Sequence, residues 1–384
     1  MPKKYSRNTV QLIHSGLEFF DTLCRMIDSA KQSVHLHTYI FNDDHTGTLV
    51  ADSLIAAAKR KVEVFLLVDG YASQHLPVDF IRNLQEAGVH FRFFEPLFQS
   101  RYLYFGRRLH HKVVVIDAAC ALIGGLNIAD RYNTLPGQPA WFDLALYIEG
   151  AAATELYHIC QQLWLKKGRF RKKTGPSYSV PDDPGVHEGV AARIRINDWV
   201  KRQQEVTATY MELFRSASHR ITIICSYFLP GLVFRTQLKR AAKRGVKIKV
   251  VLASRSDVPV SKYAERYLYR WMLRHAIEIY EYQPTVLHAK MAIADDEMLT
   301  IGSYNVNNIS RHASIELNIE VKDKEFASEV LQEIDRIIQR DCKPINTMTY
   351  TTRLFSFKQF LQWIAFQWVR IMMTVSTFYF RQKE

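Results

Sequence analysis

Disulfide and zinc frameworks are absent from this chain. Its 384 residues hold five cysteines (Cys24, Cys120, Cys160, Cys225, Cys342), an odd number, widely spaced and with no CxxC pair. That usage fits a reducing compartment rather than a small stapled domain. Long apolar runs are absent too: nothing reaches the roughly 20 uninterrupted apolar residues of a spanning helix, so none is expected. Met1 to Val10 is polar and basic and lacks the apolar core of a secretory signal, which points to a body on the cytoplasmic side. Short repeats and long heptads are missing, which excludes collagen and coiled coil. Acid is in deficit: 38 Asp and Glu stand against 51 Lys and Arg, a net charge of +13. A balance of that size favours a polyanionic partner, whether nucleic acid, anionic membrane or phosphate-bearing substrate, and does not choose among them. Apolar residues, by contrast, make up 48% of the chain, ample for real cores, and the length suggests two or three domains.

What is present is written twice. SAKQSVHLHTYIF (29–41) returns as SASHRITIICSYF (216–228), and AAAKRKVEVFLLVD (56–69) returns as RAAKRGVKIKVVLA (240–253). Each copy reads as helix end, β-rich run, basic helix, β-rich run, which argues for a duplicated α/β protein of two lobes. Tyr39 and Tyr227 lie 188 apart, as do Pro96 and Pro284, but His110 and His288 lie only 178 apart. The first copy therefore carries ten extra residues just before His110. The expected organisation is a first lobe over 1–165, a basic linker over 166–190, a second lobe over 191–345 and a distinct tail over 346–384.

The strongest signal is HHKVVVIDAACALIGGLN (110–127) set against HAKMAIADDEMLTIGSYN (288–305). In both, Lys follows His by two residues, Asp follows Lys by five, and Asn lies 17 residues beyond the His. Side chains two apart on a strand share a face, so His110 and Lys112 point together, as do His288 and Lys290. Asp117 and Asp295 fall at the turn between two strand-like runs, where holding a hairpin is a better use for them than contact with substrate. The small Gly124–Gly125 and Gly302–Ser303 pairs leave room for Asn127 and Asn305 to return to the same pocket.

On these motifs the chain, from about residue 8 to 345, resembles the phospholipase D superfamily, whose signature is a duplicated HxKx4Dx6G(S/G)xN. YIFNDD (39–44), the IGGLN ending and SYFLPG (226–231) are most similar to bacterial cardiolipin synthases, nearest to their B type. The resemblance implies a duplicated fold of two pseudo-symmetric lobes, each a mixed β-sheet flanked by helices, with the active site at the lobe interface. It implies a phosphatidyltransferase that works without metal or other cofactor, and no acidic cluster with metal spacing is present. One neutral His attacks phosphorus, the other supplies and later removes a proton, and Lys112, Lys290, Asn127 and Asn305 hold the phosphoryl oxygens. His110 as the nucleophile is a modest preference. By the same resemblance Glu316, in IELNIEV, is the carboxylate that orients a histidine, with Asp143 in WFDLALYIEG its counterpart. Ser303 can contact phosphate, but its counterpart is Gly125. His35, His90 and His219 read as structural; His37, where cardiolipin synthases often carry Glu, reads equally as pocket lining or packing.

Nucleases use the same two histidines, and a hydrolase would use them with water as acceptor. Two features tilt the reading to lipid. The ten-residue insertion sets Tyr104 and Phe105 among Arg101, Arg107 and Arg108, a mixture suited to a headgroup layer, though a nucleic-acid platform would use similar residues and a packed loop is the plain alternative. The tail carries ten aromatics in residues 346–384. There Phe357, Phe360, Leu361, Ile364, Trp368 and Ile371 form a helical stripe, with Trp363 beside it, interrupted by Lys358, Gln359, Gln362 and Arg370. The expectation is a peripheral protein on the cytoplasmic side of the inner membrane. Its partners are phosphatidylglycerol and an anionic surface, with no nucleic acid; the oligomeric state is open.

Overall fold

The computed structural model describes residues 4–96, 107–165, 189–346 and 357–381. These residues divide into two compact units. The first takes 4–96, 108–165, 189–194 and 317–319; the second takes Arg107, 195–316, 320–346 and 357–381. The insertion, with Arg101, Tyr104 and Phe105, and most of the basic linker lie outside the described residues.

In the first unit, helix α1 (Leu17–Ser29) leads to strand β2 (Ser33–Thr38), α2 (His45–Lys59), β3 (Glu63–Asp69), α3 (Val78–Glu86) and β4 (His90–Phe94). Strands β2, β3 and β4 pair in parallel. Then β6 (Lys112–Ile116) joins β2 antiparallel, β7 (Cys120–Gly124) joins β6, β8 (Leu144–Gly150) joins β7, and β1 (Ser6–His14) joins β8. The two-residue strand β5 (Arg108–Leu109) enters just ahead of β6, and α4 (Ala151–Leu165) closes the unit. Every residue of β2 is buried, as a strand covered by helices on both faces should be. Helix α1 turns Phe19, Phe20, Leu23, Met26 and Ile27 inward, spacings of one, three and four that make a single apolar face. Each such side chain contributes about 1.5–3 kcal/mol when fully removed from water.

The second unit repeats the order. After β9 (Val190–Asp198) and the short β10 (Gln203–Gln204) come α5 (Glu205–Ser216), β11 (Arg220–Cys225), α6 (Leu232–Lys243), β12 (Lys247–Ala253), α7 (Pro259–Arg274) and β13 (Ile277–Tyr282). Strands β11, β12 and β13 are parallel; β14 (Lys290–Ala294) lies antiparallel to β11, and β15 (Met298–Gly302) to β14. The short α8 (Asn308–His312), β16 (Ser314–Lys322), α9 (Lys324–Asp341) and β17 (Cys342–Pro344) follow. Asp323 caps α9 by accepting the Phe326 N–H at 3.0 Å. Each unit is thus a mixed sheet flanked by helices, the architecture that the family resemblance implies.

The tail forms helix α10 (Phe357–Arg381). Its inner face is not solvated: Ala365, Val369 and Met373 join the second core, and Phe366 packs against Tyr267 with ring centroids 4.9 Å apart. The stripe read from the sequence is the outer face, with Phe357 76% and Trp368 53% exposed. Among the described residues no helix is long and apolar enough to cross a membrane.

Candidate active site

Both histidine motifs grow from the same local construction. β6 runs antiparallel to β2 with Val113 opposite His37, and β14 runs antiparallel to β11 with Lys290 opposite Cys225. His110 and His288 therefore come in beside the carboxyl ends of the parallel strands of their own units, the edge where open α/β sheets present ligands.

In the first unit Lys112 is 5% exposed, and its ammonium donates to the carbonyl of His110. The same Nζ lies 5.2 Å from the centre of the Tyr39 ring, and Tyr39 meets the His110 imidazole edge-on at 5.0 Å. Asn127 is buried; its Oδ1 accepts the Ile40 N–H at 3.0 Å, and its Nδ2 donates to the Tyr132 hydroxyl at 2.9 Å. An amide nitrogen carries two N–H donors, so Tyr132 takes one of them. The buried Asp143 accepts its neighbour Leu144 N–H at 2.8 Å and receives Gly125 at close range: a Cβ there would sit 2.4 Å from Oδ1. Gly125 is needed as glycine by this approach, not by its backbone angles.

In the second unit the corresponding positions make an explicit bond. Ser303 donates to Glu316 Oε2 at 2.5 Å, and Ser314 donates to Oε1 at 2.9 Å, with Glu316 fully buried. Position 125 against Asp143 and position 303 against Glu316 are therefore the same juxtaposition built with a shorter and a longer pair. Lys290 Nζ lies 2.9 Å from His288 Nδ1 and also donates to the His288 carbonyl. Asn305 Oδ1 accepts from Ser226 Oγ at 2.7 Å.

The motif aspartates do something else. Asp117 sits at φ 52° in the β6–β7 turn and accepts the N–H groups of Lys31, Gln32 and Ser33 at 2.9, 2.8 and 2.7 Å. Asp295, at φ 51°, does the same for Ser218, His219 and Arg220 at 2.5, 2.8 and 2.8 Å. Burial works to raise the Asp295 carboxyl, but those three backbone donors outweigh it and hold the group below its usual value. Both aspartates tie a hairpin to the start of the adjoining strand, at the edge opposite the histidines.

Two of the cations expected at a membrane, Arg107 and Arg108, have partners inside the protein. Arg107 donates from Nη2 to Asp198 Oδ2 at 2.9 Å. Arg108 reaches Asp69 Oδ1 at 3.4 Å and the Glu95 carbonyl at 3.0 Å. Both acidic partners are distant in sequence, so the basic run read alone does not show them. Trp363 and Trp368 are on the exposed face of α10, 38% and 53% exposed.

Asp69, at the end of β3, was not singled out by the motifs. It accepts the Leu109 N–H at 2.8 Å, one residue before His110, while also closing its own turn onto Tyr71 and Ala72 at 2.9 and 3.1 Å. The signal was a lone acid ending an apolar strand, but the repeat carries Ala253 there. Tyr39 was likewise seen only as a strand residue. His37 packs on His111, with Nδ1 3.3 Å from Nε2 and the rings stacked. Burial first, then His111, His35 and Arg92, hold His37 far below the usual imidazole value, so it stays neutral. His35 is stacked on Phe65 at 4.6 Å. Among the described residues no group of His, Cys, Asp and Glu is arranged to hold a metal ion.

The family model described as "Cardiolipin synthase, PLD-like domain" matches residues 23–158 and again 210–338, one match for each unit. Cardiolipin synthase B of Shigella flexneri and of Escherichia coli K12 are each 30% identical over 88% of this chain and 82% of their own length. Cardiolipin synthase 1 of Bacillus cereus is 30% identical over 88% of this chain and 67% of its own. Among solved structures, phosphatidylserine synthase of Haemophilus influenzae Rd KW20 shares the fold with a TM-score of 0.77 at 16% identity, covering 98% of this chain and 97% of that one. Polyphosphate kinase of Porphyromonas gingivalis overlays at a TM-score of 0.61 and 15% identity, over 95% of this chain and 53% of its own. With its histidine hairpin built twice and both copies inside the family match, the chain belongs to the cardiolipin synthase, PLD-like domain family.

Proposed function

We propose that the chain is a phosphatidyltransferase that joins two phosphatidylglycerol molecules into cardiolipin, releasing glycerol. The observation that carries this reading is the His-x-Lys hairpin built in duplicate at equivalent strand edges, in a chain aligned over 88% of its length with cardiolipin synthase B. A phosphodiester repels nucleophiles through its own charge, so the reaction needs fixed cations and donors around the phosphoryl oxygens. Lys112 and Lys290 supply the charge, and Asn127 and Asn305 supply amide donors held by their own partners.

His110 attacks phosphorus through Nε2, the bond from phosphorus to the glycerol oxygen breaks, and His288 gives that oxygen a proton. The hydroxyl of a second phosphatidylglycerol then loses its proton to His288 and attacks phosphorus, and the phosphorus–nitrogen bond breaks to restore His110. A charged lysine can only donate, so the 2.9 Å contact from Lys290 to His288 Nδ1 favours the tautomer with its proton on Nε2. To act as the acid, His288 takes a second proton at Nδ1, and Lys290 keeps its bond to the His288 carbonyl. Trapping labelled phosphate on His288 alone would reverse the assignment.

The exposed apolar face of α10 and the positive net charge support a peripheral place on an anionic bilayer, at the cytoplasmic side of the inner membrane. The decisive experiment is product analysis on phosphatidylglycerol vesicles without added metal or nucleotide, using the full chain and its His110→Ala variant. Cardiolipin plus glycerol, lost in the variant, is the expected result. Phosphatidic acid alone would make the protein a hydrolase. No lipid turnover, with cleavage of single-stranded DNA instead, would make it a nuclease.

A further inference from the structure

A pocket of about 400 Å³ lies within the second unit, where α10 crosses the start of α6 and the short helix α8. Arg235, Arg311 and Arg370 line it together with Asn308, and among the described residues that line it there is no carboxylate. Its other walls are apolar, including Leu232, Phe366, Val369 and Met373. Three guanidinium groups sharing one cavity without an acid are costly to hold together unless an anion joins them.

Arg235 and Arg311 are short of partners. Among the described residues neither Arg235 nor Arg311 forms an ion pair, and the Nε of each is buried without a hydrogen-bond acceptor. Arg311 reaches only the amide oxygen of Gln204, at 3.5 Å, and Arg235 stands 5.9 Å over the Trp271 ring. Burial pulls Arg235 down from its ordinary value; Tyr267 opposes this and Arg370 adds to it, as expected of a cation facing another cation. Gly231, the residue before α6, supplies no side-chain cap, so the first N–H groups of that helix also face this end without one.

The surroundings indicate where the anion comes from. Leu232 and Val233, which line the pocket at the start of α6, are 74% and 48% exposed. The sequence of α10 contains no acid. Exposed apolar side chains at the mouth of an arginine-lined cavity match a lipid, whose phosphate and acyl chains are joined, better than a free ion. The pocket walls also continue from the second motif: Leu229 follows Ser226 by three residues, and Asn308 follows Asn305 by three.

We propose that this pocket binds the phosphate of an anionic phospholipid through Arg235, Arg311 and Arg370, with the lipid's acyl chains leaving over Leu232 and Val233 at its mouth. It is a second lipid site beside the catalytic one, and it rests on the reading of the chain as an enzyme of phospholipids. It makes the tail helix a lipid-reading wall as well as an anchor.

The test uses the full chain and co-sedimentation with phosphatidylcholine vesicles that contain or lack phosphatidylglycerol. Replacing Arg235 and Arg311 by Gln is expected to weaken binding to the phosphatidylglycerol vesicles about thirty-fold, at about 1 kcal/mol per arginine. The double variant Lys239→Gln, Lys243→Gln removes the same charge from α6 outside the pocket and is expected to change binding much less. Leu232→Trp, which fills the mouth and keeps every charge, is expected to weaken binding as well, and covers the case in which the arginine variant fails to fold. Equal losses from the arginine and lysine pairs would reduce the effect to diffuse attraction and overturn the proposal. Displacement by inorganic phosphate as readily as by short-chain phosphatidylglycerol would identify a free-anion site and overturn it too. Vesicle binding as expected without cardiolipin formation would remove the catalytic reading alone. Cardiolipin formation with both pocket variants binding like the parent would remove this one alone.

Discussion

Gly125 and Ser303 occupy one position in the two copies and show how the smallest side chains decide what a carboxylate does. Ser303 gives Glu316 a hydroxyl, whereas at Gly125 the shorter Asp143 carboxylate occupies the space of a side chain. Gly125→Ala must therefore push Asp143 aside. The expected result is a fall in kcat of about a hundredfold, the scale of an ångström-sized misplacement, with cardiolipin formation as the readout. Ser303→Ala removes a bond without adding volume and should cost less. Asp69 acts through another residue, by fixing Leu109 next to His110. Asp69→Asn should lower kcat about tenfold while leaving KM close to its parent value, since the substrate contacts remain. An equal rise in KM would show that Asp69 shapes binding instead. Neither Asp69 nor Tyr39 could be identified from the repeat, because their importance lies in contacts with Leu109 and Lys112, far away in the chain.

Among the elements, the hairpin turns and α10 carry the sharpest consequences. Asp295 has a depressed carboxyl value, so its stabilisation is fully present above the unfolded-state value near 4 and is lost as pH falls through the lower folded value. Asp295→Ala is expected to cost about 2 kcal/mol at neutral pH in denaturant unfolding, with the difference from the parent shrinking in acid. A constant difference down to pH 2 would mean the carboxylate charge is irrelevant there. For α10, the inner residues Ala365, Val369 and Met373 belong to the second core, so removing 346–384 would damage folding and blur any effect on lipid. Substitutions on the outer face separate the two. Trp363→Gln with Trp368→Gln should reduce turnover on vesicles about tenfold or more, leave a short-chain soluble substrate unaffected and keep the unfolding midpoint unchanged. Equal losses on both substrates would assign the outer face to folding. The periodicity of the tail predicted a stripe, but an amphipathic helix can turn its apolar stripe inward or outward. Here it is apolar on both faces, and packing against α7 selected Phe366 and Val369 for the inside.

For the molecule as a whole, duplication is the organising fact, yet the two copies have diverged where chemistry does not constrain them. His35 in β2 aligns with Thr222 in β11 by strand register. It is buried, stacked on Phe65, with neither ring nitrogen hydrogen-bonded among the described residues, and burial lowers its value from 6.5 to about 3. The unfolded chain takes up a proton near pH 6.5 that the folded chain refuses until about 3. Stability of the first unit is therefore expected to fall as pH drops through that window. His35→Phe keeps the ring contacts and removes the titration, so its melting temperature should decline less steeply between pH 6.5 and 4. A parallel decline would place the acid sensitivity elsewhere, with the buried His37 the next candidate.

Spacing in the chain alone determined the class of fold, the duplication and the pair of His-x-Lys-Asn sets. These are local patterns, and a pattern repeated twice resists coincidence. Turn chemistry also made the aspartates legible as hairpin holders, since Asp at a strand-to-strand turn has backbone donors within reach. Only the tertiary structure decided which cations are engaged at home. Arg107 finds Asp198 and Arg108 finds Asp69 across long separations, while Arg235 and Arg311 gather around a cavity with no acid among the described residues that line it. Charge pairing depends on which residues the fold brings within a few ångströms, and that distance is not encoded in their spacing along the chain.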